Sequence, residues 1–101
     1  MPWQFRFHPL AKEEYKSAYA WYEDQQPGLG ERFGKAIRQK LQQISNQPEA
    51  FGSRTKKKFR EASVDFFPFL VIFKIKKRSQ EIFISAIHHT SRHPRRKYRK
   101  Q

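Results

Sequence analysis

Three cations spaced two residues apart and two adjacent histidines are the side chains of this chain best suited to chemistry. Lys56, Lys58 and Arg60 alternate along a segment with strand character, which places all three on one face of the predicted strand. Metal-independent cleavage of an RNA phosphodiester needs such cations around the pentavalent phosphate, together with a base and an acid. His88 or His89 can fill either role, because histidine titrates near neutral pH.

Three more residues bear on that hypothesis. Arg92 and Tyr98 follow the histidines in sequence and are further candidates for the same site. Glu61 is a candidate base, but strand alternation places it on the face opposite the three cations. Alternation also turns one of the two histidines toward the interior, where structural histidines are more common than catalysts. The spacing alone therefore does not assemble a complete acid–base site.

The same residues also have simpler interpretations. The lysines from 56 to 58 are typical of an edge strand that charge protects against aggregation. Histidines at 88, 89 and 93 are compatible with a metal site, but the lack of cysteine and the scattered carboxylates argue against one. Gly28-Leu29-Gly30 lacks the preceding strand and the third glycine of a phosphate-binding loop. We expect no metal and no other cofactor.

Positive charge is concentrated in the second half of the chain. Residues 1–53 carry seven Lys/Arg against six Asp/Glu, whereas residues 54–101 carry fifteen against three. Residues 90–101 alone hold six Lys/Arg and no acid, and we expect a loosely held cationic tail there. Positive charge concentrated on one part of a protein creates an electric field that attracts nucleic acid, an acidic protein or an anionic surface.

The composition indicates one aromatic-rich domain over residues 1–101, with the basic tail at about 90–101. The chain has 101 residues, 37% of them hydrophobic, with ten Phe. It has no cysteine, which excludes disulfides and fits a reducing cytoplasm. The N-terminus lacks a signal-peptide core, and the longest apolar run, residues 66–73, is far shorter than the roughly 20 residues of a membrane span. We expect a cytoplasmic protein with no membrane partner.

Hydrophobic periodicity predicts a β-α-α-β-β-β order of elements. Alternation predicts a strand over 3–7, and a helical period follows from Leu10 to about Asp24 and from about Leu29 to Ser45. The turn at Pro27-Gly28 makes the helices an antiparallel hairpin.

The rest of the chain reads as three strands. These predicted strands cover residues 54–64, 66–76 and 81–89. Residues 66–72 are apolar on both faces, as in a central strand covered by helices. In the last strand we expect Ile82, Ile84, Ala86 and His88 to share one face. The predicted fold is α+β, with the helix hairpin packed on one face of a small antiparallel sheet.

Three segments resemble the ParE/RelE superfamily of toxins from type II toxin–antitoxin systems. They are His8-Pro9-Leu10-Ala11 with Glu14, the stretch from Trp21 to Phe33, and Phe66-Phe67-Pro68-Phe69 with residues 87–94 after the strand. The second segment is the most specific and resembles the ParE side more than the RelE side. The family motif is usually Phe-Pro-Tyr, so a tyrosine hydroxyl is absent at Phe69.

The resemblance implies a small toxin neutralised by an acidic cognate antitoxin, with a toxin–antitoxin hetero-oligomer as the expected form of the complex. Antitoxins of the family combine a DNA-binding domain with an extended segment that wraps the toxin. ParE-like members inhibit DNA gyrase, and RelE-like members cut messenger RNA on the ribosome. Three functions therefore stay open: a gyrase inhibitor without catalytic residues, a ribosome-dependent endoribonuclease, and a non-toxic module that binds nucleic acid or protein.

Each function assigns roles to particular residues. Only an endoribonuclease needs catalytic groups, drawn from Lys56, Lys58, Arg60, His88, His89, Arg92 and Tyr98. Contacts with the target, gyrase or the ribosome and its messenger RNA, are expected from Lys56, Lys58, Arg60, Arg92, Arg95, Arg96, Lys97 and Arg99. Contacts with the antitoxin are expected from Tyr19, Tyr22, Phe69 and Lys74.

Overall fold

Two helices pack on a four-stranded sheet in a computed structural model that describes residues 3–52, 58–92 and 98–99. The elements, in chain order, are β1 (Gln4–Phe7), α1 (Pro9–Gln25), α2 (Leu29–Asn46), a 3-10 turn (Pro48–Ala50), β2 (Arg60–Ser63), β3 (Phe69–Lys76) and β4 (Glu81–His89). This order confirms the predicted fold class. No helix within the described residues is both long and apolar enough to span a membrane.

The sheet has the strand order β1-β4-β3-β2. Strands β2, β3 and β4 form the predicted antiparallel meander. Strand β1 lies parallel to β4, with Gln4 opposite Glu81 and Phe7 opposite Ile84. The sheet is therefore mixed rather than purely antiparallel, because the chain must cross over through the helix hairpin between β1 and the meander.

Local sequence signals set the ends of both helices. Pro9 occupies the first turn of α1, where its missing N–H costs no hydrogen bond, and His8 Nδ1 accepts from Leu10 N at 3.0 Å. The Glu23 carboxylate accepts from the backbone N–H groups of Gly28 and Gly30, each at 2.9 Å. A carboxylate on these free N–H groups stabilises the start of α2.

Glycine at position 30 lets the two helices approach closely. A Cβ atom there would lie 2.7 Å from the Tyr19 carbonyl oxygen and 2.9 Å from Glu23 Oε1. Both atoms belong to α1, so this contact fixes the spacing of the hairpin at the loop end.

The apolar core lies between the helices and one face of the sheet. Its fully buried members include Phe33, Ile44, Val71, Phe73, Ile82 and Ile84. The other face is not covered by helices, contrary to the prediction for the central strand. There Phe59 and Tyr98, from outside the regular elements, cover Ile72 and Ala86. Strand β3 is apolar on both faces because two different layers bury it.

Two predicted strands are shorter than their sequence pattern. The first begins at Arg60 rather than at residue 54, and residues 53–57 lie outside the described part of the chain. Lys58 precedes it with a left-handed φ of 66°. The next strand begins at Phe69 because Phe66 has φ 69° and lies in a turn, and Pro68 cannot donate a ladder hydrogen bond.

A β-bulge at Ser85 reverses the faces of β4. Ile72 pairs with Ala86, whereas the next residue of β3, Phe73, pairs with Ile84, so Ser85 has no opposite residue. Ile82 and Ile84 belong to the core under the helices, but Ala86 packs on the opposite face. The prediction that these side chains share one face along the whole strand is therefore wrong beyond the bulge.

Candidate functional site

A groove of about 760 Å³ runs between helix α1 and the outer end of strand β4. Its apolar wall is formed by Leu10, Ala18, Trp21, Tyr22, Phe69 and Ile87, and its charged residues are Glu13, Glu14, Arg92 and Arg99. Within the described residues, β1 pairs with β4 only as far as Ile84, so no strand occupies this side of residues 85–89. We refer to this feature as the α1–β4 groove.

Two large apolar side chains of the groove are exposed to solvent. Trp21 is 59% exposed and Leu10 is 51% exposed, although both stand on an otherwise amphipathic helix. The Trp21 ring contacts the ring of Tyr22, with centroids 5.2 Å apart. Tyr22 in turn packs on Phe67 at 4.9 Å, and this burial raises the pKa of its hydroxyl. The exposed apolar rim is thus continuous with the aromatic core.

The floor of the groove is held by a carboxylate between helix and strand. Glu14 Oε1 accepts from Ile87 N at 3.0 Å and from Arg99 Nη1 at 3.0 Å, while Oε2 accepts from Arg99 Nη2 at 2.8 Å. Arg99 also donates through Nη1 to the Ser85 carbonyl at 2.9 Å and through its backbone N–H to Ser85 Oγ at 2.6 Å.

This Glu14–Arg99 cluster, made of Glu14, Ser85, Ile87 and Arg99, explains how the β-bulge is tolerated. Ser85 has no opposite residue in β3, and Arg99 donates to its carbonyl oxygen, while Glu14 accepts from Ile87 N–H beyond the last residue of β4 that pairs with β1. The bidentate ion pair also ties residue 99 to the sheet, so the prediction of a loosely held tail is wrong for residues 98 and 99.

The candidate catalytic residues that the structure describes lie on both faces of the sheet, and Lys56 lies outside the described residues. Arg60 donates to the carbonyl oxygens of Glu49 and Phe51, under the same face of the sheet that the helices cover. Tyr98 donates to Glu61 on the opposite face, where alternation correctly places Glu61.

The two histidines also point to opposite sides. His88 is buried and lies opposite Leu70, on the face of the sheet away from the helices. His89 packs its ring on Phe69 with centroids 5.0 Å apart, and its Nδ1 accepts from Ser91 N at 3.1 Å. His89 therefore belongs to the wall of the groove.

The residues expected to contact the target have different surroundings. Lys58 and Arg92 are exposed, whereas Arg99 is engaged by Glu14. Arg60 and Lys58 do not share a strand face, because Lys58 lies outside the strand. The other members of that set, Lys56, Arg95, Arg96 and Lys97, lie outside the described residues.

Of the four residues expected to contact an antitoxin, the structure brings two together. Tyr22 and Phe69 line the α1–β4 groove. Tyr19 donates to Glu31 at 3.0 Å away from the groove, and this hydrogen bond raises the pKa of Tyr19. Lys74 lies over the Phe59 ring, 5.6 Å from its centroid, on the opposite face of the sheet.

Sequence reasoning missed two features of the surface. Glu14 and Arg99 are 85 positions apart in the sequence, and no local sequence pattern predicts that they pair. A second cavity, of about 710 Å³, lies at the β3–β4 turn and is lined by Lys58, Arg60, Ile75, Lys76, Lys77, Arg78 and Ser79. The run from Lys76 to Arg78 was the available signal for this cavity, although its pattern predicts only a polar hairpin loop.

Comparison with known proteins gives a family. The family described as "ParE toxin of type II toxin-antitoxin system, parDE" matches residues 5–94. No curated protein matches the chain significantly by sequence. A solved structure titled "Chromosomal ParDE TA system from P. aeruginosa" has a TM-score of 0.74 at 16% identity, covering 88% of this chain and 97% of that one, and so shares its fold. Since the family match spans most of the chain, the protein belongs to the ParE toxin family of type II toxin–antitoxin systems.

Proposed function

We propose that this protein is a cytoplasmic toxin that inhibits DNA gyrase by binding and is neutralised by an acidic cognate antitoxin seated in the α1–β4 groove. The observation that carries the proposal is the groove itself in a member of the ParE family: an open cavity beside a strand edge, with Trp21 and Leu10 exposed. Such a surface suits an extended segment that folds on binding.

The charge of the whole chain supports an acidic partner, since the net charge is +13. At the groove itself Arg92 is exposed on the rim, while Arg99 is paired with Glu14 and the fourth charged residue is Glu13. An antitoxin segment that combines apolar anchors with carboxylates would cover Trp21 and Leu10 and place acidic groups near Arg92.

Inhibition by binding is favoured over RNA cleavage by the positions of those candidate catalytic groups that the structure describes, a set without Lys56. Arg60 is directed toward the helix side of the sheet, whereas His88 and Tyr98 lie on the other side. A general acid and a phosphate-binding cation must reach the same phosphate, within hydrogen-bond distance. A binding inhibitor has no such requirement.

Expression of the chain alone in bacteria tests the toxin assignment. Growth should stop, and co-expression of the adjacent antitoxin gene should restore it. Normal growth on unopposed expression would contradict the assignment and favour a non-toxic binding module. Purified protein should then abolish supercoiling by gyrase without cutting transcripts in a translating ribosome assay. Codon-positioned cuts with supercoiling intact would instead support the endoribonuclease.

The location of the antitoxin is tested with two exposed aromatic residues. Trp21→Ala removes an apolar anchor of the groove, and Phe66→Ala removes a side chain that is 99% exposed and does not line it. The first substitution should weaken antitoxin binding by 10-fold or more, roughly the loss of a central aromatic contact. The second should leave the dissociation constant within about 2-fold, and equal effects would contradict this location.

A further inference from the structure

The cavity at the β3–β4 turn has only cations among its charged lining residues. These are Lys58, Arg60, Lys76, Lys77 and Arg78, and the cavity measures about 710 Å³. Lys76 ends β3, and Lys77 and Arg78 follow it in the turn. Lys58 and Arg60 come from the start of β2 and the residues just before it, so two separate segments of the chain form the site. We call this feature the hairpin pocket.

The backbone of the turn is fixed by its own hydrogen bonds. Gln80 donates to the Lys77 carbonyl through its backbone N–H and through its side-chain amide, both at 3.2 Å. Ser79 Oγ donates to Glu81 Oε1 at 3.1 Å. Gln80 has a left-handed φ of 55°, which closes the hairpin tightly. The cations therefore stand on a defined scaffold.

Two of the five cations have partners that position them. Lys77 Nζ lies 2.7 Å from Glu49 Oε1, and this contact lowers the pKa of the Glu49 carboxyl. Arg60 donates to the carbonyl oxygen of Glu49 at 3.4 Å and to that of Phe51. These contacts hold both cationic side chains at the wall of the pocket.

Of the other three cations, Lys58 and Arg78 have no anionic partner among the described residues. Lys76 lies opposite Glu81 in the β3–β4 register and interacts with that carboxylate electrostatically. No hydrogen bond or ion pair within residues 3–52, 58–92 and 98–99 engages the side chains of Lys58 or Arg78. Lys58 moreover holds a left-handed φ of 66°, a conformation that is unfavourable for a residue with a Cβ. Strained backbone beside unpaired like charges is typical of a site that a ligand completes.

We propose that the hairpin pocket binds the phosphate backbone of a nucleic acid, with Lys58, Lys76 and Arg78 as the contacting cations. Arg78 can bind a phosphate in bidentate fashion, while the lysines act as point charges. Binding of this kind is independent of base sequence and depends steeply on salt.

An acidic protein fits this pocket less well. Protein partners depend on buried aromatic or aliphatic anchors, and the one apolar residue that lines the hairpin pocket is Ile75. The α1–β4 groove has the opposite composition, with six apolar residues in its wall. The two cavities are therefore suited to different classes of macromolecule.

The salt dependence of DNA binding tests the proposal. The full chain is titrated onto a fluorescent 20-base-pair duplex over a series of salt concentrations. The triple variant Lys58→Ala, Lys76→Ala, Arg78→Ala should lower the slope of log K against log salt by up to about 3 units, since each lost phosphate contact removes about 0.9. The single variant Arg78→Glu should lower it by about 1 and serves if the triple variant fails to fold.

A matched control removes the same charge from the helices. Lys12, Lys16 and Lys35 are exposed and line neither cavity. The variant Lys12→Ala, Lys16→Ala, Lys35→Ala should change the slope by less than about 1 unit. An equal change in both triple variants would mean that net charge alone binds DNA, and the proposal would be overturned.

Two further ligands separate the classes of partner. The triple variant of the hairpin pocket should bind an RNA duplex of the same sequence as weakly as it binds the DNA duplex. If the variant loses affinity for only one of the two duplexes, that nucleic acid is the source of the phosphates. A polyglutamate peptide represents an acidic protein. If the hairpin-pocket variant loses the peptide but keeps the wild-type slope on DNA, the pocket binds acidic protein and the proposal is wrong. None of these binding results depends on whether the protein inhibits gyrase, so the proposed function and the hairpin-pocket proposal can be contradicted separately.

Discussion

Arg99 at the α1–β4 groove and the exposed cations of the hairpin pocket are held in opposite ways. At the α1–β4 groove, Arg99 is bound by Glu14 and by the backbone of β4, and its side chain is only 13% exposed. At the hairpin pocket, Lys58 and Arg78 are exposed, and no described residue neutralises them. Charge that is paired supports the fold, whereas charge that is left unpaired is available to a ligand.

This difference separates structural from functional cations within one basic half. The cations of both regions come from residues 54–101, where fifteen Lys/Arg face three Asp/Glu. Arg99 and Lys58 look alike in a count of charges. Arg99 is paired because a carboxylate reaches it from α1, in the nearly neutral half of the chain, whereas no described residue pairs with Lys58. Substitutions at the α1–β4 groove and at the hairpin pocket should therefore have opposite effects on the free energy of unfolding.

The largest loss of stability is expected when the carboxylate at the groove is removed. Glu14→Ala leaves Arg99 and Ile87 N–H without their partner, at a site where the Glu14 side chain is only 27% exposed. The free energy of unfolding in denaturant should fall by about 3 kcal/mol. The matched variant Glu13→Ala, at an exposed neighbouring position, should change it by less than about 0.5 kcal/mol. Similar losses in both variants would contradict a structural role for the pair.

The next comparison is between two glycines, Gly30 at the contact of the two helices and Gly52 in open space. Gly30→Ala places a Cβ 2.7 Å from the Tyr19 carbonyl oxygen, whereas a Cβ at Gly52 meets no atom within 4 Å. Gly30→Ala should destabilise the protein by about 2 kcal/mol through displacement of the helices. Gly52→Ala should be neutral or slightly stabilising. Thermal unfolding of the two variants measures the difference, and a larger loss at Gly52 would refute the close approach of the helices.

Relief of backbone strain at the hairpin pocket should raise stability. Lys58→Gly accepts the φ of 66° without steric cost and also removes one of several like charges. We expect the free energy of unfolding to rise by about 1 kcal/mol at low salt, while DNA affinity falls. A loss of stability would show that Lys58 is held by an interaction that supports the fold.

The smallest effect concerns the Glu49 carboxylate, which forms a salt bridge with Lys77 of the hairpin pocket. Lys77 lowers the pKa of Glu49, so this pair stabilises the fold above the ordinary carboxyl pKa and loses that contribution as the pH falls through the lowered value. Lys77→Ala should return the pKa of Glu49 toward its ordinary value in a carboxyl NMR titration. Arg6→Ala is the control, since Arg6 lowers the pKa of Glu81 instead. A shift of Glu49 in the Arg6 variant would contradict the pairing.

Local sequence patterns were enough to predict most of the fold. The helix hairpin follows from the period of its apolar residues and from Pro27-Gly28, and the predicted helices end within one or two residues of the observed ones. The meander follows from its short turns. The Ser85 bulge is not visible in the sequence, because the side chains that bond to the backbone at and beside it come from elsewhere in the chain: Arg99 bonds to the Ser85 carbonyl and Glu14 to Ile87 N–H.

The candidate sites were harder to predict for the same reason. The α1–β4 groove joins residues from the first helix, the last strand and residue 99, so only its members Tyr22, Phe69, Arg92 and Arg99 were assigned binding roles from the sequence. The hairpin pocket joins Lys58 to a turn that the sequence presents as a simple loop. Alternation placed Arg60 on the correct side relative to Glu61 but could not reveal that Arg60 binds the carbonyl oxygen of Phe51.

Mapping two ligands on one protein tests most directly whether the α1–β4 groove and the hairpin pocket have different partners. The protein labelled with ¹⁵N is titrated separately with the cognate antitoxin and with duplex DNA, and amide chemical shifts are followed by NMR. The antitoxin should perturb residues around Trp21 and Ile87, and DNA should perturb Lys58 and residues 76–79. Perturbation of the same residues by both ligands would contradict this division of the surface.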